Sequence, residues 1–243
     1  MKIVAVIPAR YKSSRFKGKP LVKIHGVPMI ERVYRQVEKS GRFADIIVAT
    51  DDSRIENAVR QFGGTSILTS MDHRSGTDRV YEVLRNSDFE AAVNIQGDEP
   101  LVPENLIAAV FDELETGRHK VVTAAYYNVS ADDFFSKNVV KVVFDIRNNA
   151  LYFSRSPVPY ITKTDFTGFY QHIGIYGYLE ESLEAFVNFP ASRLEEVEKL
   201  EQLRFLENGI SIKIILTGEK SLGVDVPEDV SRIEKILNNR GKK

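Results

Sequence analysis

Residues 2–21, KIVAVIPARYKSSRFKGKPL, run from an unbroken apolar segment straight into a loop crowded with cations. The first part, Lys2 to Pro8, has the length and β-branched composition of a strand buried on both faces. The second part carries Arg10, Lys12, Arg15, Lys17 and Lys19, five cations in ten residues, interleaved with the small residues Ser13, Ser14 and Gly18. Cations at that density repel one another unless an anion joins them, and small residues let backbone N–H groups approach it. A triphosphate fits such an array. A solvated basic surface loop is the competing reading, and the loop's position at the C-terminal end of a strand weighs against it. The spacing is neither that of a P-loop, because Lys19 precedes Pro20, nor the dinucleotide pattern GxGxxG.

Outward from this stretch, strand and helix patterns alternate. Val27 to Lys39 has Ile30, Val33, Tyr34 and Val37 on one helical face, and Asp45 to Thr50 reads as a strand. Helix Ser53–Gln61 stops at Gly63-Gly64; strand Ser66–Leu68, helix Gly76–Leu84 and strand Ala91–Ile95 follow. Leu101 to Leu114 reads as a helix with Pro103 near its first turn. The alternation predicts an α/β fold with a mostly parallel central sheet, helices on both faces and right-handed crossovers. Ligands of such sheets bind beyond the C-terminal ends of the strands, where the loops 9–19, 50–54 and 96–100 emerge. After Lys120 the pattern shifts to strands Val121–Tyr127, Val139–Phe144, Ala150–Phe153 and His172–Tyr178, with a hairpin turn at Asn148-Asn149. Helix Leu194–Leu206, strand Ser211–Leu216 and helix Pro227–Leu237 close the series. The whole reads as a single domain with a smaller lobe or arm at about 130–175, suited to substrate binding and dimer contact.

The 243 residues, 43% hydrophobic and 28% charged, suffice for a buried core and exclude a disordered chain. There is no cysteine, so thiolate chemistry and disulfides are absent, and the histidines at 25, 73, 119 and 172 lack zinc-ligand spacing. No apolar run is long enough to span a membrane, and the first is followed at once by Arg10, Lys12 and Arg15, unlike a signal peptide. The cytoplasm is the expected compartment. Eleven Lys or Arg among the first 42 residues, against Glu31 and Glu38 alone, suit a small anionic ligand better than a nucleic-acid track.

Acidic residues mark two further strand tips. Asp98 in QGDEP (96–100) can reach a Mg²⁺ ion, whose preference for hard oxygen suits a carboxylate joined by phosphates, while Glu99 faces the other way or caps the next helix. Asp225 in GVDVPED (223–229) is a second candidate, although a plain helix N-cap would also explain that segment. In DHRSGTDR (72–79), Ser75 and Asp78 read as caps, and Arg79 either meets phosphate or pairs with an acid such as Asp78 or Glu82 on the helix surface. Asp52 also reads as a cap. His172 and Tyr176, with Gly174 between them, share one strand face and offer a polar floor, or else His172 is a satisfied core histidine. His25 and His119 read as surface or turn residues.

Taken together, IPARYKSSRFKGKPL (7–21), IIVATDD (46–52), DHRSGTDR (72–79), NIQGDEPLVP (94–103), LYFSRSPVPY (151–160), HIGIYGY (172–178), LEEVEKLEQLR (194–204) and GVDVPED (223–229) closely resemble the 3-deoxy-manno-octulosonate (KDO) cytidylyltransferases. The resemblance implies a nucleotide-diphospho-sugar transferase fold of glycosyltransferase-A type with a dimerisation arm. It also implies a cytoplasmic homodimer that joins CTP and KDO as CMP-KDO with release of pyrophosphate, using Mg²⁺, for lipopolysaccharide synthesis. Carried over by residue, it puts Arg10 and Lys19 on the triphosphate and Asp98 and Asp225 on Mg²⁺. Pro8 and Ala9, with the loop His73, Arg74, Ser75 and Gly76, would receive cytidine, and Arg15, Gln96, His172, Tyr176, Glu201 and Gln202 would line the sugar-acid pocket. Arg10, Lys19 and Asp98 would be the catalytic groups. The chain departs from the family's usual pattern at Lys17, Arg74 and Val226, where proline, glutamine and threonine are common; Arg74 borders the base site and bears on nucleotide or sugar preference. Rival readings are a transferase for another sugar acid or for UTP, a non-catalytic nucleotide sensor, and a basic-patch nucleic-acid protein.

Overall fold

In the computed structural model the opening apolar run is β1 (Ile3–Ala9), with Val4, Ala5, Val6 and Ile7 fully buried. The structure describes residues 1–12, 16–73, 75–162 and 164–240; the expectations for Ser13, Ser14, Arg15 and Arg74 lie outside them. The described chain divides into two compact units, one built from residues up to Ala108 and from Ser221 onward, the other from Ala109–Lys220.

In the first unit β1 leads through a 3₁₀ turn (Lys19–Leu21) to the hairpin of β2 (Lys23–Ile24) and β3 (Val27–Pro28), then to α1 (Met29–Lys39). The helix expected from Val27 begins two residues later, because Val27 and Pro28 pair with β2 across a turn in which His25 and Gly26 have φ of 46° and 76°. β4 (Ile46–Thr50), α2 (Ser53–Gln61), β5 (Thr65–Leu68), α3 (Gly76–Arg85) and β6 (Ala91–Asn94) follow. Their order across the sheet is β6-β1-β4-β5, all parallel. β1 therefore has a neighbour on each side, which accounts for its continuous apolar sequence. The chain builds outward from β1 through β4 to β5, then returns to the opposite side of β1 as β6. The order reverses between β1 and β6, and a crevice at the C-terminal ends of those two strands is the expected ligand site.

α4 (Glu104–Glu115) starts three residues later than its apolar pattern suggested: Pro103 contributes the first carbonyl to Ile107 N–H, and Leu101 and Val102 are buried ahead of the helix. The second unit contains β7 (Val121–Asn128), α5 (Ala131–Phe135), β8 (Lys141–Phe144), β9 (Ala150–Ser154), β10 (Phe169–Leu179), α6 (Glu180–Asn188), α7 (Arg193–Glu198), α8 (Leu203–Glu207) and β11 (Ile212–Thr217). β7 pairs in parallel with β11 and antiparallel with β10, and β8 joins β10 to β9 through antiparallel ladders. The single helix expected over Leu194–Leu206 is two. Lys199 adopts a left-handed conformation (φ 56°, ψ 46°), and Arg155 takes the carbonyls of Glu198 and Lys199 at 2.8 and 3.4 Å, so a long-range partner replaces the helical bonds. α9 (Pro227–Arg240) returns the chain to the first unit, where Ile233 and Val224 are buried with Ile24, Met29 and Leu101.

Candidate active site

A cavity of about 370 Å³ opens at the β1/β6 switch point. Pro8, Ala9, Arg10 and Lys12 line it from the β1 exit, Lys19 and Pro20 from the turn that follows, Gly76 from the start of α3, and Gln96, Gly97 and Asp98 from the β6 exit. The two exits touch closely enough to demand glycine. A Cβ on Gly97 would stand 2.7 Å from the Pro8 carbonyl oxygen, inside any real contact distance. Gly18, at φ 73°, caps the 3₁₀ turn, and its N–H donates to the Tyr11 carbonyl at 2.9 Å.

The ammonium of Lys19 organises the charges. Its Nζ donates to Asp98 Oδ2 at 2.5 Å and to the Val224 carbonyl at 2.9 Å, and lies 3.7 Å from Asp225 Oδ1. Two carboxylates from distant tips thus converge on one cationic point, the donor set a hard divalent cation takes when phosphate oxygens complete its shell. Among the described residues no group of three or more His, Cys, Asp or Glu side chains gathers to hold a metal. Asp98 and Asp225 offer two carboxylates to such an ion, with the rest of its shell left to phosphate oxygens. Asp225 is not a plain cap: the N–H groups of Asp225 and Val226 both donate to Asp229 Oδ2, at 2.8 and 3.1 Å. Because Asp229 supplies this cap, Val226 needs no side-chain hydroxyl. Glu99 is enclosed beside these charges; burial, with Asp98 and Asp225 nearby, pushes its carboxyl up to about 7, opposed by a hydrogen bond from Ser221.

The loop before α3 is held from that helix. Ser75 and Asp78 form the expected capping box, with Asp78 N–H donating to Ser75 Oγ at 3.1 Å and Ser75 N–H to Asp78 Oδ2 at 3.0 Å. Glu82 accepts from Ser70 N–H at 3.0 Å and also holds the His73 ring through Nε2. Arg79 pairs with an acid, one of the two expected roles, but the partner is Asp51 and the place is the interior, not the helix surface. It is fully buried, donating to Asp51 Oδ2 at 2.6 Å, Thr69 Oγ1 at 2.5 Å and the Ser70 carbonyl at 3.2 Å. Asp52 caps α2 as expected, accepting from Arg54 N–H at 3.0 Å.

In the second unit His172 and Tyr176 remain neighbours, with ring centroids 5.4 Å apart, although β10 bulges between Ile173 and Tyr176. The Thr123 hydroxyl lies 2.8 and 3.2 Å from the Ile175 and Ile173 carbonyls, either of which can accept its single proton, and 3.1 Å from His172 Nε2. With that proton on a carbonyl, Nε2–H donates to Thr123 and Nδ1 is left as an acceptor. Burial drives the ring pKa down to about 3, so His172 is neutral. The buried Gln202 Nε2 has no hydrogen-bond partner among the described residues, and burial, only partly opposed by the Thr123 hydroxyl, raises the Tyr176 phenol well above its ordinary value. Buried polar groups left unpaired in this way are suited to a polar ligand. Glu201 precedes Gln202 on an exposed turn.

Because the folded state disfavours a proton on His172 between pH 6.5 and about 3, stability falls on acidification through that window. This group contributes a slope of up to about 1.4 kcal/mol per pH unit. His172→Gln is expected to flatten the slope in urea unfolding compared at about pH 6 and about pH 4.5; an unchanged slope would mean that the ring protonates in place.

A parallel sheet with a cationic loop and an acidic tip flanking its switch point defines a nucleotidyltransferase. A family model described as Cytidylyltransferase matches residues 4–214. The 3-deoxy-manno-octulosonate cytidylyltransferases of Thermodesulfovibrio yellowstonii and Syntrophobacter fumaroxidans are 46% and 47% identical to the chain, covering 98% of it and 99% and 97% of their own lengths. The solved structure of CMP:2-keto-3-deoxy-manno-octonic acid synthetase complexed with CTP superposes with a TM-score of 0.94 at 38% identity, covering 99% of this chain and all of that one. The 4-diphosphocytidyl-2C-methyl-D-erythritol synthase of Anaerococcus prevotii, at 15% identity and a TM-score of 0.61, shares the fold alone. The chain belongs to the 3-deoxy-manno-octulosonate cytidylyltransferases.

Proposed function

We propose that the enzyme transfers the cytidylyl group of CTP to KDO with Mg²⁺, giving CMP-KDO and pyrophosphate. The observation that carries this reading is the convergence of Asp98, Asp225 and Lys19 at the β1/β6 switch point, beside Arg10 and Lys12. The anomeric hydroxyl of KDO attacks the α-phosphorus; the new O–P bond forms as the bond to the β-phosphate oxygen breaks, and the hydroxyl proton is released. Asp98 and Asp225 would hold Mg²⁺, which when bound supplies charge neutralisation for the triphosphate. Arg10 and Lys19 orient the phosphates and meet the charge gathering on the leaving pyrophosphate. Lys19 exchanges its carboxylate partners for phosphate oxygens as the nucleotide enters. Pro8 and Ala9, with His73, Ser75 and Gly76, receive cytidine. Gln96 in the first unit, and His172, Tyr176, Glu201 and Gln202 in the second, are each assigned to the sugar acid on the family resemblance: Nδ1 of His172 accepts from a hydroxyl, while the Tyr176 hydroxyl and Gln202 amide donate. In the same reading the protein is a cytoplasmic homodimer whose product feeds lipopolysaccharide assembly.

Pyrophosphate release is expected with CTP, KDO and Mg²⁺, and not when UTP replaces CTP or when amino-KDO or sialic acid replaces KDO. Release with another pair moves the specificity; no release with any pair points to a nucleotide-sensing role. Tyr176→Phe is expected to raise KM for KDO about five- to ten-fold with little change in kcat, since it removes one hydrogen bond in a buried site. Steady-state kinetics with varied KDO at saturating CTP decides this, and an unchanged KM removes Tyr176 from the sugar pocket.

A further inference from the structure

Glu99 follows the cation ligand Asp98, yet its carboxylate is engaged with a different part of the chain: Ser221 Oγ donates to Glu99 Oε2 at 2.6 Å. Ser221 begins the segment that delivers Asp225. That segment stays against residues 98 and 99 along its whole approach. A Cβ on Gly223 would lie 3.6 Å from the Asp98 carbonyl oxygen and 3.8 Å from Glu99 Cγ, so the backbones run within van der Waals reach. Val224 N–H then donates to the Asp98 carbonyl at 2.9 Å, and the buried Val224 side chain anchors the segment in the core with Ile24, Met29 and Leu101. Asp225 is the first group beyond this anchorage, and the Asp229 cap holds it from the other side.

We propose that Glu99 and Ser221 are a positioning pair that sets the separation of the Asp98 and Asp225 carboxylates; this rests on the reading of those two groups as the cation's ligands. Carboxylates brought together repel one another, and the Lys19 ammonium between them offsets that repulsion. Once phosphate oxygens draw Lys19 away, its contacts no longer fix the spacing. The Ser221–Glu99 bond does not involve Lys19, so it persists through the exchange and keeps the second carboxylate in register with the first. Glu99 itself touches neither nucleotide nor metal in this arrangement.

The test uses the purified full-length chain loaded with CTP, with Mn²⁺ as the probe ion and the free-ion EPR signal as readout, corrected for Mn²⁺ bound by CTP alone. Ser221 is only partly buried, so Ser221→Ala removes a hydroxyl without opening the core. It is expected to weaken Mn²⁺ binding about five-fold, the size of one lost hydrogen bond, and to raise the metal concentration needed for half-maximal rate while kcat at saturating metal holds. Ser221→Thr, which keeps the hydroxyl, is expected to restore both. Asp225→Asn serves as the reference and is expected to weaken Mn²⁺ binding about ten-fold or more. If Ser221→Ala binds Mn²⁺ like the parent while Asp225→Asn does not, the positioning pair is overturned and the ligand assignment stands. If Asp225→Asn also binds like the parent, the ligand assignment itself falls and the pair with it.

Discussion

Asp98→Asn is expected to lower kcat by roughly 10²–10³-fold while leaving the dissociation constant of CTP, measured without divalent cation, within a few-fold of its original value. Asparagine preserves the size of the side chain and an oxygen that can still accept from Lys19 Nζ, so the loop after β6 keeps its place. What disappears is a full negative charge at the point where two carboxylates share one cation. In the proposed mode Arg10 and Lys19 hold the triphosphate, and removing a nearby anion does not weaken that attraction. The transition state is different, because charge moves onto the departing pyrophosphate and needs a fixed counter-charge. Isothermal titration of CTP beside pre-steady-state turnover separates the two. Comparable losses in both, or retention of turnover, would sink the assignment of Asp98 to the reacting centre.

Arg79→Met is the largest expected effect on stability, about 3–5 kcal/mol. The guanidinium is wholly buried and joins the end of β4, through Asp51, to the Thr69 and Ser70 turn after β5. Methionine fills part of the space but leaves the Asp51 carboxylate facing apolar atoms on its enclosed side and strands the Ser70 carbonyl. Asp51 remains about one-fifth exposed, which puts the loss toward the lower end of that range. The double change Asp51→Asn with Arg79→Met is expected to recover a substantial part, since no unpaired charge then remains. Urea midpoints of the parent, both single variants and the double variant test this. A cost below about 1 kcal/mol for the single change would show that water replaces Arg79 readily.

These residues also mark how far the sequence could be read. Strands β1, β4 and β6 were legible because burial on both faces leaves continuous apolar runs, and the Ser75/Asp78 box and Asp52 cap were legible because a cap is made within three residues. Arg79 was read as pairing with an acid on its own helix, whereas its partner Asp51 lies just past β4, 28 residues earlier, where no local pattern points to it. The break at Lys199 was invisible for the same reason, since it depends on Arg155, 44 residues away. α6 was missed even though Glu180 and Glu181 open it and Leu183 and Phe186 supply its buried face. At the site, the strand-tip rule alone suggested Asp98, while Asp225 became convincing only through the resemblance to a family. No local pattern tied Glu99 to Ser221, and Glu99 read there only as facing away from the ion or capping the next helix.

Lys19 and Val224 are 205 residues apart, with the whole of the second unit threaded between the two stretches that build the first. As the chain leaves the ribosome, β1 and β6 are made early, yet the segment bearing Ser221, Val224 and Asp225 follows only after the inserted unit has been translated. A nascent chain therefore holds the cationic loop and one acidic tip without the segment of backbone that joins them until the inserted unit has been made. A circular permutant that begins at Ser221 and runs on into residue 1 would make the first unit continuous and bring that joining forward.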